Sequence, residues 1–126
     1  MFELTVELEF SAAHRLPDYP GPCARLHGHN YRVVVVVEGE QLNAQGMLMD
    51  FGELKSLCRQ EVGPLDHAYL NEQPAFAGAP PTAEVIARHL HQGIAKALAG
   101  RGPSALALAR VSVYESASST ATYREK

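Results

Sequence analysis

Residues Tyr31 to Gly39, "YRVVVVVEG", put five valines in a row. β-Branched side chains are stiff at χ1 and pack well on a pleated surface, so the run reads as a strand. Side chains alternate between the two faces of a strand, and these valines occupy both parities. The middle of the strand therefore needs cover on each side, which a lone hairpin cannot give.

The rest of the chain supplies partners for it. Phe2, Leu4, Val6, Leu8 and Phe10 alternate with Glu3, Thr5, Glu7 and Glu9, the period of a strand with one buried face. Pro17, Pro20, Gly21 and Pro22 then break regular structure and leave a loop of about a dozen residues, long for a hairpin. Asp50 followed by Glu53 forms a capping box for a helix carrying Phe51, Leu54, Cys58 and Val62 at helical spacing, which makes Cys58 a core residue. A Pro/Ala/Gly loop, Pro74 to Pro81, leads to Thr82 as an N-cap. The helix after it buries Ile86, Leu90, Ile94 and Ala97 and stops near Gly100. Leu106 to Glu115 and Thr120 to Tyr123 return to strand character.

The order is β-β-α-α-β-β, an α+β fold on an antiparallel sheet with two helices on one face. Two helices leave the other face bare. The doubly apolar second strand and the unpaired edges of a four-stranded sheet predict that further copies of the chain complete the packing, as a homo-oligomer.

Residues 1–126 fit one domain by length, and 46% hydrophobic with 20% charged residues is the composition of a soluble globular protein. No apolar run approaches the ~20 residues that cross a bilayer. The amino terminus lacks the basic start and apolar stretch of a secretory signal, so a cytoplasmic location is expected. A net charge of −3 without a basic run leaves no footprint for nucleic acid or an anionic membrane, and points to a small-molecule partner. Two cysteines, Cys23 and Cys58, make no disulfide framework; a thiol here is free, metal-bound or catalytic.

"CARLHGHN", Cys23 to Asn30, concentrates candidate chemistry. His27 and His29 are one residue apart at the start of the second strand, so both imidazoles point to one face as a chelating pair. His14 lies just past the end of the first strand, and antiparallel pairing brings it beside them. Three histidines suit a catalytic zinc with an open fourth position, whereas structural zinc uses more thiolates than this chain has. A cupin-type site is excluded by spacing, because the positions that would need a carboxylate are Val33 and Val34, and Glu38 comes too late. Cys23 can either close the metal site as a fourth ligand or stand beside it as a thiolate base, its pKa lowered from about 8.5 by nearby positive charge. Spacing does not separate these two roles.

"LDHAYLN", Leu65 to Asn71, holds Asp66 next to His67, a carboxylate and imidazole able to relay a proton. Glu115 shares strand parity with Val111 and Val113, which sets a carboxylate at the end of an apolar face, either as a ligand anchor or as an edge position where the strand has already reached solvent. His89 and His91 fall within the second helix, where they decorate it or become partly buried.

Six landmarks in order, "FSAAHRLP", "CARLHGHNY", "MDFGELK", "LDHAYLN", "PTAE" and "VSVYES", resemble the 6-pyruvoyl-tetrahydropterin and 6-carboxytetrahydropterin synthase family across nearly the whole chain. The resemblance implies zinc held by His14, His27 and His29, with Cys23 as catalytic base and Asp66 and His67 assisting proton transfer. It further implies that Glu115 anchors the pterin ring and that Thr82 and Glu84 line the same pocket. It implies the tunnelling fold, in which strands of three chains pool into a barrel and two trimers stack as a hexamer with sites between subunits. Three residues separate Cys23 from His27, as in the bacterial carboxy-forming enzymes of queuosine biosynthesis. For that branch the implied reaction converts 7,8-dihydroneopterin triphosphate to 6-carboxytetrahydropterin with loss of acetaldehyde and triphosphate. Arg15 and Arg25 are candidates for holding the triphosphate. Two expectations contrast with that reaction: a 6-pyruvoyl-tetrahydropterin-forming enzyme that eliminates triphosphate without carbon–carbon cleavage, and a non-catalytic zinc- or pterin-binding module.

Overall fold

A computed structural model describes residues 1–101 and 106–126. Strand β1 (Phe2–His14) pairs antiparallel with β2 (His27–Gly39), in a register that sets Phe10 opposite Tyr31, Ala12 opposite His29 and His14 opposite His27. Helices α1 (Phe51–Val62) and α2 (Ala83–Leu98) follow, with a two-residue strand β3 (Ala68–Tyr69) between them. The hairpin β4 (Ala107–Ser116) and β5 (Ser119–Tyr123) closes the chain, and the sheet order is β3-β1-β2-β4-β5. The expected α+β arrangement holds, with one difference: β3 lies parallel to β1, so the sheet is mixed and has five strands. Two residues carry no readable periodicity, which is why β3 is invisible in the sequence.

The helices start where side-chain caps satisfy their first N–H groups. Asp50 Oδ2 accepts from Glu53 N–H at 3.0 Å and Thr82 Oγ1 from Val85 N–H at 3.1 Å. Ile86, Leu90, Ile94 and Leu98 form the buried stripe of α2, and Leu54, Leu57, Cys58 and Val62 that of α1. They pack on Val6, Phe10, Tyr31, Val33, Val35, Val37, Val111 and Val113 of the sheet. Each fully buried aliphatic chain contributes about 1.5–3 kcal/mol of transfer free energy. Gly93 lets the Glu61 carboxylate lie against α2, where a Cβ would collide with it.

Three local expectations change. Phe51 is exposed at the start of α1, off the buried stripe. His91 takes the buried alternative and goes further than partial burial, at 2% exposure with its ring 5.0 Å from that of Tyr123, and burial lowers its pKa and favours the neutral form. On the face of the sheet away from the helices, the apolar middle expected of the second strand is flanked by polar residues. Val36 is buried there, but its cross-strand neighbours are Thr5 and Arg110. Ion pairs cross the same face from Arg32 to Glu7 at 2.7 Å and from Arg110 to Glu3 at 3.8 Å, and the Arg32 guanidinium lies 4.0 Å over the Tyr114 ring. Cover for the second valine parity thus comes partly from flanking strands of the same chain.

Candidate functional site

His14 is the last residue of β1, and His27 and His29 open β2, all on the helix-facing side of the sheet. One ligand nitrogen from each lies within 4.8 Å of the other two. His14 is 1% exposed. Its Nδ1 faces the Pro81 carbonyl at 2.8 Å, and the Tyr31 hydroxyl stands 3.3 Å from the same nitrogen. His27 Nδ1 faces the Arg25 carbonyl at 2.7 Å. A carbonyl only accepts, so both Nδ1 atoms carry a proton, and with neutral rings both Nε2 atoms present bare lone pairs.

Those two lone pairs point at each other, with His14 Nε2 and His27 Nε2 2.9 Å apart. Two acceptors at that separation repel unless a cation lies with them. His29 Nε2 is buried beside them without a hydrogen-bond partner, and burial, ahead of the opposing field of Glu115, lowers the His29 pKa and favours its neutral form. The three nitrogens therefore fit a metal ion, with an all-imidazole donor set that suits zinc and related first-row ions. Backbone carbonyls on the other ring nitrogens of His14 and His27 hold these ligands in orientation. Burial raises the Tyr31 pKa, so its hydroxyl stays protonated.

Glu115 joins this group. Its Oε1 lies 3.9 Å from His14 Nε2, and its side chain is about one-third exposed at 32%. The carboxylate thus stands at the rim of the histidine cluster and is open to solvent. Cys23 is partly buried in a short 3-10 turn, Pro22–Ala24, whose following residue supplies the carbonyl that orients His27. Thr82 follows the Pro81 carbonyl that orients His14. Its hydroxyl caps α2, and it lines a hollow with Leu16, Tyr19 and Phe76, whereas Glu84 is exposed in the first helical turn.

Asp66 and His67 are close to each other, with His67 Nδ1 3.1 Å from Asp66 Oδ2. They are not brought to the histidine cluster of their own chain. His67 lines a hollow with Ser11, Ala13, Gly28, His29 and Asn30 at the end of the β1–β2 ladder, outside the group of three converging imidazole nitrogens. His67 is 84% exposed and is the only non-glycine residue with positive φ, 56°, among the described residues. Left-handed backbone costs such a residue on the order of 1–3 kcal/mol, and here the His67 N–H bond to the Ser11 carbonyl at 2.6 Å holds it in place. The Ser11 N–H donates to Asp66 Oδ1 and, as the first cause, holds that carboxyl below its usual range.

Two contributors escaped the sequence reading. Tyr31 shares parity with His27 and His29 and was detectable on that ground. The carbonyls of Pro81 and Arg25 left no signal, because any residue supplies a carbonyl.

Comparison with known proteins identifies the family and the fold. The chain is 37% identical over 98 residues to 6-carboxy-5,6,7,8-tetrahydropterin synthase of Bacillus subtilis (strain 168), covering 74% of this chain and 65% of that protein. It is 41% identical over 92 residues to the protein of the same name from Synechocystis sp., covering 69% and 70%. Its fold superposes on the structure of Caenorhabditis elegans 6-pyruvoyl tetrahydropterin synthase with a TM-score of 0.82 and 28% identity, over 100% of this chain and 98% of that one. Residues 3–126 match the family described as 6-pyruvoyl tetrahydropterin synthase, and the chain with its three converging histidines belongs to that family.

Proposed function

We propose that this protein is a zinc-dependent lyase that converts 7,8-dihydroneopterin triphosphate to 6-carboxy-5,6,7,8-tetrahydropterin, releasing acetaldehyde and triphosphate. The observation that carries the reading is the meeting of three imidazole lone pairs with Glu115 at their rim, in a chain whose relatives in Bacillus and Synechocystis bear the carboxy-forming name. The three-residue spacing from Cys23 to His27 supports the same branch.

In this reading His14, His27 and His29 hold zinc through Nε2. When bound, zinc supplies a Lewis acid that polarises oxygens of the substrate side chain and eases loss of neighbouring protons. Glu115 accepts hydrogen bonds from the amino and ring N–H edge of the pterin and so sets which side-chain carbon faces Cys23. Cys23, as thiolate, takes and returns protons at those carbons, and Asp66 keeps the His67 ring oriented to exchange protons with it. Thr82 and Glu84 belong to the wall of the same pocket. Arg15 and Arg25 are the candidates for meeting the triphosphate, and Arg15 spends its Nε on the Ala24 carbonyl at 3.3 Å.

His67 is 84% exposed and lies outside the group formed by His14, His27 and His29, which supports a working site that combines residues of different copies. The unpaired edges support such assembly: β3 covers β1 only at Ala12 and Ala13, and β5 ends the sheet on the other side. A hexamer of two stacked trimers, acting in the cytoplasm in queuosine biosynthesis, completes the proposal. No helix among the described residues is long and apolar enough to cross a membrane.

Likeness to the Caenorhabditis 6-pyruvoyl tetrahydropterin synthase favours a second reading, loss of triphosphate without carbon–carbon cleavage. Product analysis with zinc-loaded protein and 7,8-dihydroneopterin triphosphate separates the two. Acetaldehyde with 6-carboxytetrahydropterin is expected; triphosphate without acetaldehyde moves the protein to the pyruvoyl branch, and no turnover makes it a binding module.

A further inference from the structure

Residues 66–71 run beside the end of β1 and are tied to it by side chains at both ends. At one end Asp66 and His67 bind the two backbone groups of Ser11. In the middle Ala68 and Tyr69 pair with Ala12 and Ala13. Beyond them the ladder stops, and the Asn71 amide takes its place: Nδ2 donates to the Arg15 carbonyl and Oδ1 accepts from the Arg15 N–H, both at 2.9 Å. A primary amide carries a donor and an acceptor side by side, so it can serve both main-chain groups of one residue.

Arg15 opens the loop that carries Cys23, and its contacts lead to that thiol. Its Nε donates to the Ala24 carbonyl at 3.3 Å, and the Leu16 N–H donates to the Cys23 carbonyl at 2.7 Å. The other backbone bonds in the loop close short turns, Tyr19 to Leu16, Ala24 to Gly21 and Arg25 to Pro22. The position of Cys23 relative to the sheet therefore depends on Arg15 and Leu16 at one end of the loop and on the Arg25 carbonyl against His27 Nδ1 at the other. His14 is held separately, by strand pairing with His27 and by the Pro81 carbonyl, neither of which involves Asn71.

We infer that Asn71 is a positioning residue for Cys23: it fixes the Arg15 main chain, and through it the loop, while taking no part in holding the metal. This rests on the proposed role of Cys23 as base. A thiol displaced by about 1 Å from its working position is expected to lose on the order of a hundredfold in rate.

Asn71→Asp keeps the acceptor for the Arg15 N–H and turns the donor into an oxygen facing the Arg15 carbonyl. Asn71→Ala removes both bonds without adding charge, so at least one variant is expected to fold. Each is read for bound zinc, for kcat and KM with 7,8-dihydroneopterin triphosphate, and for the rate at which iodoacetamide alkylates Cys23. Peptide mapping assigns the label, and buried Cys58 stays protected. The expected result is unchanged zinc, a kcat lowered about tenfold to a hundredfold with little change in KM, and an alkylation rate altered by about threefold or more. Unchanged kcat and alkylation, or a loss of kcat that only tracks lost zinc, overturns the inference. If the unmodified protein turns over no substrate, the proposed function fails, and the zinc and alkylation readings still decide whether Asn71 holds the thiol.

Discussion

The metal-type cluster and the Asp66–His67 pair flank the same few residues of β1, yet the chain prepares them in opposite ways. His14 is buried at 1% exposure, its ring direction set by the Pro81 carbonyl, and its Nε2 aimed at that of His27. His67 is 84% exposed and held in left-handed backbone by bonds to Ser11 on the other side of the sheet. The difference follows from parity: Ala12 and His14 point to the helices, Ser11 and Ala13 away from them. One chain thus brings three imidazoles together by itself but presents the Asp66–His67 pair outward, where the proposed function needs another surface to cover it. Strain and exposure at His67 are tolerable if that cover arrives on assembly.

The largest effects come from breaking the first of these regions. His29→Ala is expected to abolish both zinc retention on dialysis and turnover, since two imidazoles no longer fill a catalytic zinc site; full metal content in this variant would contradict the ligand assignment. Cys23→Ala should keep its zinc while turnover falls by about 10²–10⁴, and joint loss of metal would make the thiol a ligand. His67→Ala should resemble Cys23→Ala in metal content, and Asp66→Asn should lower kcat by less than either, because the imidazole survives without its charged orienting partner.

Acidification separates the two regions further. Burial, the largest influence on His29, sets its pKa below the ordinary 6.5, so in metal-free protein this imidazole should stay neutral as pH falls through 6.5 and charge only further down, as histidine NMR titration checks; a His29 pKa above 6.5 would contradict this. The Asp66 pKa is lowered, chiefly by the Ser11 N–H. Its tie to β1 is therefore fully present above the ordinary carboxylate range and lost as pH drops through the lowered value. The smallest effect lies far from both regions: Asp50→Ala should cost about 1 kcal/mol in chemical denaturation through loss of the α1 cap, with kcat and zinc content unaltered.

How much of this was legible depended on whether the signal was local. Period-two alternation in β1, the caps at Asp50 and Thr82, and the shared parity of His27 and His29 are properties of neighbouring residues, and they read correctly. The polarity opposite the valines depends on register, which brings Thr5 and Arg110 beside Val36 from distant parts of the chain. The burial of His91 depends on where β5 passes, and Phe51 escapes the core because the first turn of α1 points it outward. Asn71 stands at the end of "LDHAYLN" but acts through a backbone contact to Arg15, a pairing that residue identity does not announce.

The claim on which the rest depends is that zinc is held by three imidazoles and that Cys23 stands free beside them. Zinc-edge X-ray absorption of the zinc-loaded protein tests it most directly. The expected spectrum contains nitrogen or oxygen neighbours only, at about 2.0–2.2 Å; a sulfur neighbour at about 2.3 Å would make Cys23 a ligand and remove the base from the proposed reaction.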